Sequence, residues 1–333
     1  METNTTANVK ADSDSARRLI VDTDTAGDDT IALLLAVCSD HAVLEGVTVV
    51  AGNVEFEHEV ENAKYTLALA DAEDVPVYEG ARSPLIKDHE TAEEVHGTGG
   101  LGGDLFPETG IPSADEHAVE YIVRTARENP GEITLACIGP LTNVAVALQH
   151  EPNLGELLDS VWVMGGARNC LGNVTPAAEF NFWVDPDAAT RVLSEIDVTL
   201  VDWGVCLEHA TLRTEEFEPI EAARSESPYA DFFLETARPA CEHTRETQGI
   251  DGTTQSDSLT IAGLLDPSII TETNTYPVAV DEREGMTRGY SLVDENGVTD
   301  LPANTRVVES VDGERFRELI LDLLVHGDPH RSG

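Results

Sequence analysis

The stretch from Leu19 to Ala36 constrains this chain more than any other. Leu19-Ile20-Val21 is a short apolar run that reads as a buried strand, and Ile31–Ala36 is an apolar run of helical character. Between them four carboxylates, Asp22, Asp24, Asp28 and Asp29, fall within eight positions. Strand, acidic turn and helix in that order is how open α/β folds build sites at the carboxyl ends of parallel strands. One or two of these aspartates would suffice to cap and complement a helix start, at about 0.3–1 kcal/mol each. Four exceed that need. Like charges so dense repel one another unless a cation lies among them, and hard oxygen donors of this kind suit Ca2+ or Mg2+. An EF-hand does not fit, because its loop needs an oxygen ligand at Ala26 and a Glu at Leu33.

The rest of the chain is also acidic. Asp and Glu number 63 against 20 Lys and Arg, a formal net charge of −43, which argues against nucleic acid or an anionic membrane surface as partner. Runs such as Glu55-Phe56-Glu57-His58-Glu59, Asp71-Ala72-Glu73-Asp74 and Glu215-Glu216 are dispersed over surface-type segments. With 41% hydrophobic residues the chain can still build a substantial core. The coat therefore reads as a folded protein's adaptation to high salt, where counterions screen self-repulsion. Cys38, Cys137, Cys170, Cys206 and Cys241 are odd in number and form no C-x-x-C, as expected in a reducing compartment without structural zinc. Residues 1–16 are polar, and the apolar run after Arg17-Arg18 is too short to span a membrane. The expectation is a cytoplasmic protein with a disordered acidic tail over 1–16 and one domain over 17–328.

Further strands are expected near 44–50, 75–78, 133–138, 161–164 and 198–201, with helices near 57–70, 116–128, 141–150, 187–193, 214–224, 229–247 and 259–265. The last part mixes strands near 276–280, 286–292 and 305–309 with a final helix at 314–325. This alternation predicts a single α/β domain with a mostly parallel, Rossmann-like central sheet covered by helices on both faces. Residues 82–113 lack apolar periodicity and read as a lid or binding loop. Gly97-Thr98-Gly99-Gly100-Leu101-Gly102 spells G-x-G-x-x-G, but no strand precedes it and Asp104-Leu105-Phe106-Pro107 starts no helix, so a flexible lid is expected rather than a dinucleotide site. Ala178-Glu179-Phe180-Asn181 ends a loop that begins at Gly165-Gly166 and passes Asn173; its polar groups could hold sugar hydroxyls or simply be solvated. Taken alone, Asp257 could be a plain N-cap, His96 a surface residue, and Trp162, Trp183 and Trp203 packing at strand ends.

Taken together, these residues resemble the nucleoside hydrolases, often called inosine–uridine-preferring. The opening turn is similar to the family's D-x-D-x-x-x-D-D signature. Val50-Ala51-Gly52-Asn53, Gly139-Pro140-Leu141-Thr142-Asn143, Met164-Gly165-Gly166, Ala178-Glu179-Phe180-Asn181 with Val184-Asp185-Pro186, and Asp257 with Asp266-Pro267-Ser268 recur in order. The resemblance covers about residues 18–327. It implies cleavage of a ribonucleoside to ribose and free base, with Ca2+ as the one cofactor. By resemblance, Asp24, Asp29, Asp257 and the main-chain carbonyl of Ile138 hold the ion, and Asp24 also takes the proton of the attacking water. Asp28, Asn53 and Asn181 would grip the 2′- and 3′-hydroxyls, Asn173 and Glu179 the 5′-hydroxyl, with Met164 and Phe180 against the substrate and Asp22 orienting the ligands from behind. The resemblance also implies a homodimer or homotetramer.

Four departures accompany it. Thr25-Ala26 stands where Pro-Gly is usual. Ser256 stands directly before Asp257, where the family often has a histidine that helps the base leave, so His96 becomes the candidate for that proton. Ala240 and Thr244 replace base-stacking aromatics, and Trp203-Gly204-Val205-Cys206 stands where Asp-x-Thr is common. Two rival readings remain: a family member that binds ribosides with little turnover, and a haloacid-dehalogenase-like phosphatase with Asp22 as nucleophile. The second leaves Asp28-Asp29, Asn173 and Glu179 without a role.

Overall fold

The computed structural model describes residues 16–103 and 105–330; the tail expected over 1–16 thus falls, Ala16 apart, outside the described residues. Strand β1 (Arg17–Thr23) delivers the acidic turn directly into α1 (Gly27–Cys38), and β2 (Ala42–Val49) and α2 (Phe56–Leu69) follow. Then come β3 (Val77–Glu79), the single-turn α3 (Glu93–His96), α4 (Ala118–Glu128), β4 (Ile133–Cys137), α5 (Thr142–His150), the short α6 (Leu154–Leu157) and β5 (Ser160–Met164). After α7 (Phe180–Val184) and α8 (Pro186–Glu195), β6 (Val198–Val201) leads to α9 (Trp203–His209), β7 (Thr211–Arg213), α10 (Glu218–Ala223) and the long α11 (Pro228–Thr247). The chain closes with β8 (Gly252–Thr254), α12 (Ser256–Leu265), β9 (Ile270–Tyr276), β10 (Val278–Val280), β11 (Ser291–Val293), β12 (Thr305–Val311) and α13 (Gly313–His326).

Eight strands form the central sheet in the order β3-β2-β1-β4-β5-β6-β12-β9, parallel throughout except for β9 at the edge. The chain runs outward from β1 through β2 to β3, then returns to place β4 on the other side of β1. The strand order reverses there, and ligands of open α/β sheets bind in the crevice at such a point. Leu19 and Val21 of β1 face one core layer with α1, α12 and α13, whereas Ile20 faces the other with α4, α5 and α8. Burial on both faces explains why the strands read as continuous apolar runs. Helix α1 buries every residue from Asp29 to Ala36, and all ten residues of α12 are buried beside it. Among the described residues no helix is long and apolar enough to cross a membrane.

Most departures from the expected elements lie at edges. The strand expected near 276–280 is two strands, β9 and β10, separated at Pro277; β9 has no fully buried residue and is polar between Ile270 and Tyr276, so it carries no apolar run to betray it. Of the segment expected at 286–292 only Ser291 and Leu292 pair, and the strand continues to Val293. The helix expected at 214–224 is a one-turn Thr214–Phe217 segment followed by α10, with Pro219 at the helix start. The lid expected over 82–113 contains α3, and its glycine run is held down rather than loose. Gly27 N donates to Gly100 O at 3.0 Å, Asn62 Nδ2 donates to Thr25 O and Gly99 O at 2.9 and 2.8 Å, and Leu101 is fully buried.

Candidate active site

Asp22 closes β1 with its carboxylate wholly buried, and Oδ1 accepts hydrogen bonds from Thr48 Oγ1 of β2 and Asn143 Nδ2 of α5. Asn143 Nδ2 also reaches Val49 O, while its Oδ1 accepts from Ala81 N. One carboxylate and one amide therefore knot together the ends of β1 and β2 and the start of α5. Burial pushes the Asp22 carboxyl up to about 7.

Asp29, in the first turn of α1, is equally buried. Its Oδ1 accepts from Thr23 Oγ1 at 2.6 Å, and Oδ2 accepts from Ala26 N and Asn53 Nδ2 at 3.1 and 3.2 Å. Asp24 differs from both. It is 1% exposed, and neither carboxylate oxygen has a hydrogen-bond partner. A side chain at Gly52 would overlap Oδ2, and one at Gly139 would stand 2.7 Å from Oδ1, so only glycine leaves room for this group on either side. Burial, then the charges of Asp29, Glu59 and Glu179, hold its carboxyl far above the usual range. Asp257, at the start of α12, is raised likewise by burial and by Asp28, Asp29 and Asp24. Asp28 Oδ2 accepts from Asp257 N at 3.2 Å, and burial lifts its carboxyl to about 6.

Glu59 belongs to a run that reads as surface coat, and here the structure corrects the sequence. Its carboxylate is fully buried: Oε1 accepts from Gly52 N and Val54 N at 2.9 and 3.1 Å, while Oε2 has no partner. It shapes the turn that carries Asn53. Its spacing from Phe56, Val60 and Ala63 puts it on the buried face of α2, a periodicity that the sequence does contain.

The facing wall comes from the loop after β5. Glu179 caps α7, with Oε1 accepting from Asn181 N at 2.8 Å and Oε2 from Gly166 N at 2.8 Å and Phe182 N at 3.3 Å; burial raises its carboxyl to about 7. Asn173 Oδ1 accepts from Phe180 N, leaving its amide nitrogen uncommitted. Asn181 Nδ2 donates to Ile138 O at 2.9 Å and lies 3.3 Å from Met164 O, so its Oδ1 is the end left for a ligand. The Ile138 carbonyl retains a second lone pair.

These groups share one cavity of about 330 Å3, within the range of small-ligand sites. Asp28, Asn53, His96, Ile138, Met164, Asn173, Glu179, Phe180, Asn181 and Asp257 all line it, with Asp24 and Asp29 buried beneath its floor. The remaining wall is built by α3 and α11 and includes His243, Thr244, Thr247 and Gln248, together with Trp203 and Ser256. No Lys or Arg lines it. As the side chains stand, no three His, Cys, Asp or Glu groups among the described residues converge as a closed ligand set. The chemistry of the donors nonetheless fits a hard cation: a carboxylate with two bare buried oxygens stands among carboxylates that raise one another, with no cationic side chain to balance them.

Fold and site thus define an open α/β enzyme with a polar, carboxylate-floored pocket at the strand-order reversal. The profile of the inosine-uridine preferring nucleoside hydrolase family matches residues 19–318, and the chain belongs to that family. An uncharacterised protein of Schizosaccharomyces pombe is 37% identical over 311 residues, 92% of this chain and 98% of that protein. The pyrimidine-specific ribonucleoside hydrolase RihA of Photobacterium profundum is 35% identical over 318 residues, covering 93% of this chain and 99% of RihA. Among solved structures, the plant nucleoside hydrolase PpNRh1 superposes with a TM-score of 0.86 at 30% identity, over 94% of this chain and all of that one. The purine-preferring ribonucleoside hydrolase of Gardnerella vaginalis superposes with a TM-score of 0.85 at 28% identity, over 93% and 98%.

Proposed function

We propose that this nucleoside hydrolase cleaves the N-glycosidic bond of ribonucleosides with a Ca2+ ion held by Asp24, Asp29, Asp257 and the carbonyl of Ile138. The observation that carries this reading is the bare, buried carboxylate of Asp24 beneath a cavity of hydroxyl-binding amides and carboxylates. When bound, Ca2+ supplies the positive charge that makes a water nucleophilic near neutral pH. Asp24 takes that water's proton as it attacks C1′, and the C1′–N bond breaks with its electron pair leaving on the base. Positive charge builds on the ribose, and the surrounding carboxylates stabilise it. Asp28, Asn53 and Asn181 hold the 2′- and 3′-hydroxyls, the last through Oδ1. Asn173 takes the 5′-hydroxyl with its free amide nitrogen, in a loop that Glu179 fixes by accepting three backbone N–H groups. Met164 and Phe180 pack against the sugar.

His96 is the sequence's candidate for protonating the base. It lines the cavity, but its Nδ1 is buried without a partner, and burial lowers its pKa to about 4. Near pH 7 it is a neutral imidazole, able to donate a hydrogen bond to the base but not to serve as a strong acid.

The test is release of ribose from a panel of purine and pyrimidine ribonucleosides in molar KCl, with and without a chelator. Chelator-sensitive ribose release is expected. Phosphate release from phosphoesters that lack ribose would overturn the reading, and tight riboside binding without turnover would make this a binding protein on a hydrolase fold.

A further inference from the structure

Breaking the N-glycosidic bond of an unactivated nucleoside leaves an electron pair on the base that needs a proton, and the groups placed so far do not supply one. Asp24 takes a proton rather than giving one, and His96, whose Nδ1 is buried against Gly27 without a hydrogen-bond partner, is held neutral near pH 7. The source must lie on the remaining wall of the cavity. That wall is α3 and α11, which pack against each other.

Its polar groups divide cleanly. The Thr244 hydroxyl is committed, donating to Gly252 O at 2.7 Å. Thr247 donates to His243 O at 2.8 Å. Hydroxyls and the amide of Gln248 give up no proton near neutral pH in any case. Glu94 lies exposed at the rim. His243 remains: its ring lines the cavity, is half-buried, and enters no hydrogen bond or ion pair with the described residues. Imidazole is the side chain that both carries and releases a proton between about pH 5 and 8. Partial exposure lets His243 be reprotonated from solvent after each turnover.

We propose that His243 is the acid that protonates the departing base, a role that rests on the hydrolase reading above. The imidazolium proton moves to the base as the C1′–N bond breaks. The proton that Asp24 took from water returns through solvent to His243, so the net reaction transfers one water proton to the base and both residues are regenerated.

The experiment compares kcat of the wild type, His243→Ala and His243→Gln on a natural ribonucleoside and on p-nitrophenyl riboside, whose leaving group needs no proton. Loss of a general acid costs about 10²–10⁴-fold. Both variants should therefore lose at least about 10²-fold on the nucleoside and far less on the nitrophenyl riboside, whose turnover also reports that the fold survives. Added imidazole should partly restore His243→Ala on the nucleoside and leave the nitrophenyl reaction unmoved. Equal losses on the two substrates would make His243 a binding or structural residue, and no loss on either would mean that the proton comes from elsewhere; either result overturns the proposal. Failure of the wild type to release ribose from both substrates would instead sink the hydrolase reading itself.

Discussion

Asp24 and Glu57 carry the same functional group in the same chain and are treated in opposite ways. The Glu57 side chain is 71% exposed and meets the Arg82 guanidinium at 2.5 Å, which holds its carboxyl below the usual range. Asp24 is 1% exposed, has no hydrogen-bond partner, and is driven far above that range. The contrast extends to two populations. Glu79, Glu116 and Asp281 sit in the surface coat beside arginines or hydroxyls that favour their charge, whereas Asp24, Asp29 and Asp257 are buried close to one another and to the half-buried Asp28. Surface carboxylates keep the chain hydrated. The buried set is destabilising by itself, and that instability suits it to bind a cation.

The largest expected effect comes from Asp24→Ala. Turnover should fall by about 10²–10⁴-fold as the base is lost, while the melting temperature of the chelated protein rises, because a buried carboxyl without a hydrogen-bond partner is gone. Near-normal kcat would remove Asp24 as base, and a lowered melting temperature would break the contrast between the two populations.

Cation removal comes next. A ligand at a hundredfold excess over its Kd stabilises by about 2.7 kcal/mol, so thermal melts with Ca2+ should exceed those with chelator by that order. Glu57→Gln should leave the increment intact and Asp257→Asn should diminish it. Equal increments in all three proteins would place the ion elsewhere.

Glu179 gives the pH dependence. Its carboxyl lies at about 7 in the folded protein and at roughly 4.3 in an unfolded chain, so the native state binds more protons between those values. Stability from this group is therefore full below about pH 4 and is lost as pH rises toward 7. Asp294, held at about 2, works in the other direction: its contribution is present at neutral pH and lost as pH falls toward 2. Melting curves of Glu179→Gln should show a flatter decline between about pH 4.5 and 7 than the wild type; identical slopes would refute the assignment.

The smallest effect is expected at the coat. Arg82→Ala, which removes the exposed pairs with Glu57 and Glu79, should cost less than about 1 kcal/mol. Raising KCl from about 0.1 M to about 1 M shortens the screening length from about 10 Å to about 3 Å and should stabilise the protein more than any single such pair. A melting temperature indifferent to KCl would argue against adaptation to high salt.

The element that organises the site is legible in the order of the amino acids. β1, the turn and α1 are contiguous, and their signals are local: an apolar run, four spaced carboxylates, a helical run. The mostly parallel sheet follows from alternation alone, though the polar edge strand β9 carries too little apolar pattern to be read correctly. Glu59 is misread because an acidic run looks alike whether one member points inward or all point out. His243 escapes a sequence reading because nothing in α11 marks it; only the packing of α11 against α3 brings its ring to the cavity.

The sequence by itself determined which oxygens gather beneath the site, since Asp22, Asp24, Asp28 and Asp29 lie on one continuous strand–turn–helix whose geometry is set by hydrogen bonds between near neighbours. Tertiary structure alone decided that Asp24 is left without a donor, that Glu59 is buried, and that two imidazoles line the same cavity as the carboxylates. Those outcomes depend on glycines at 52 and 139 and on a helix far along the chain, brought together by the reversal of strand order at β1.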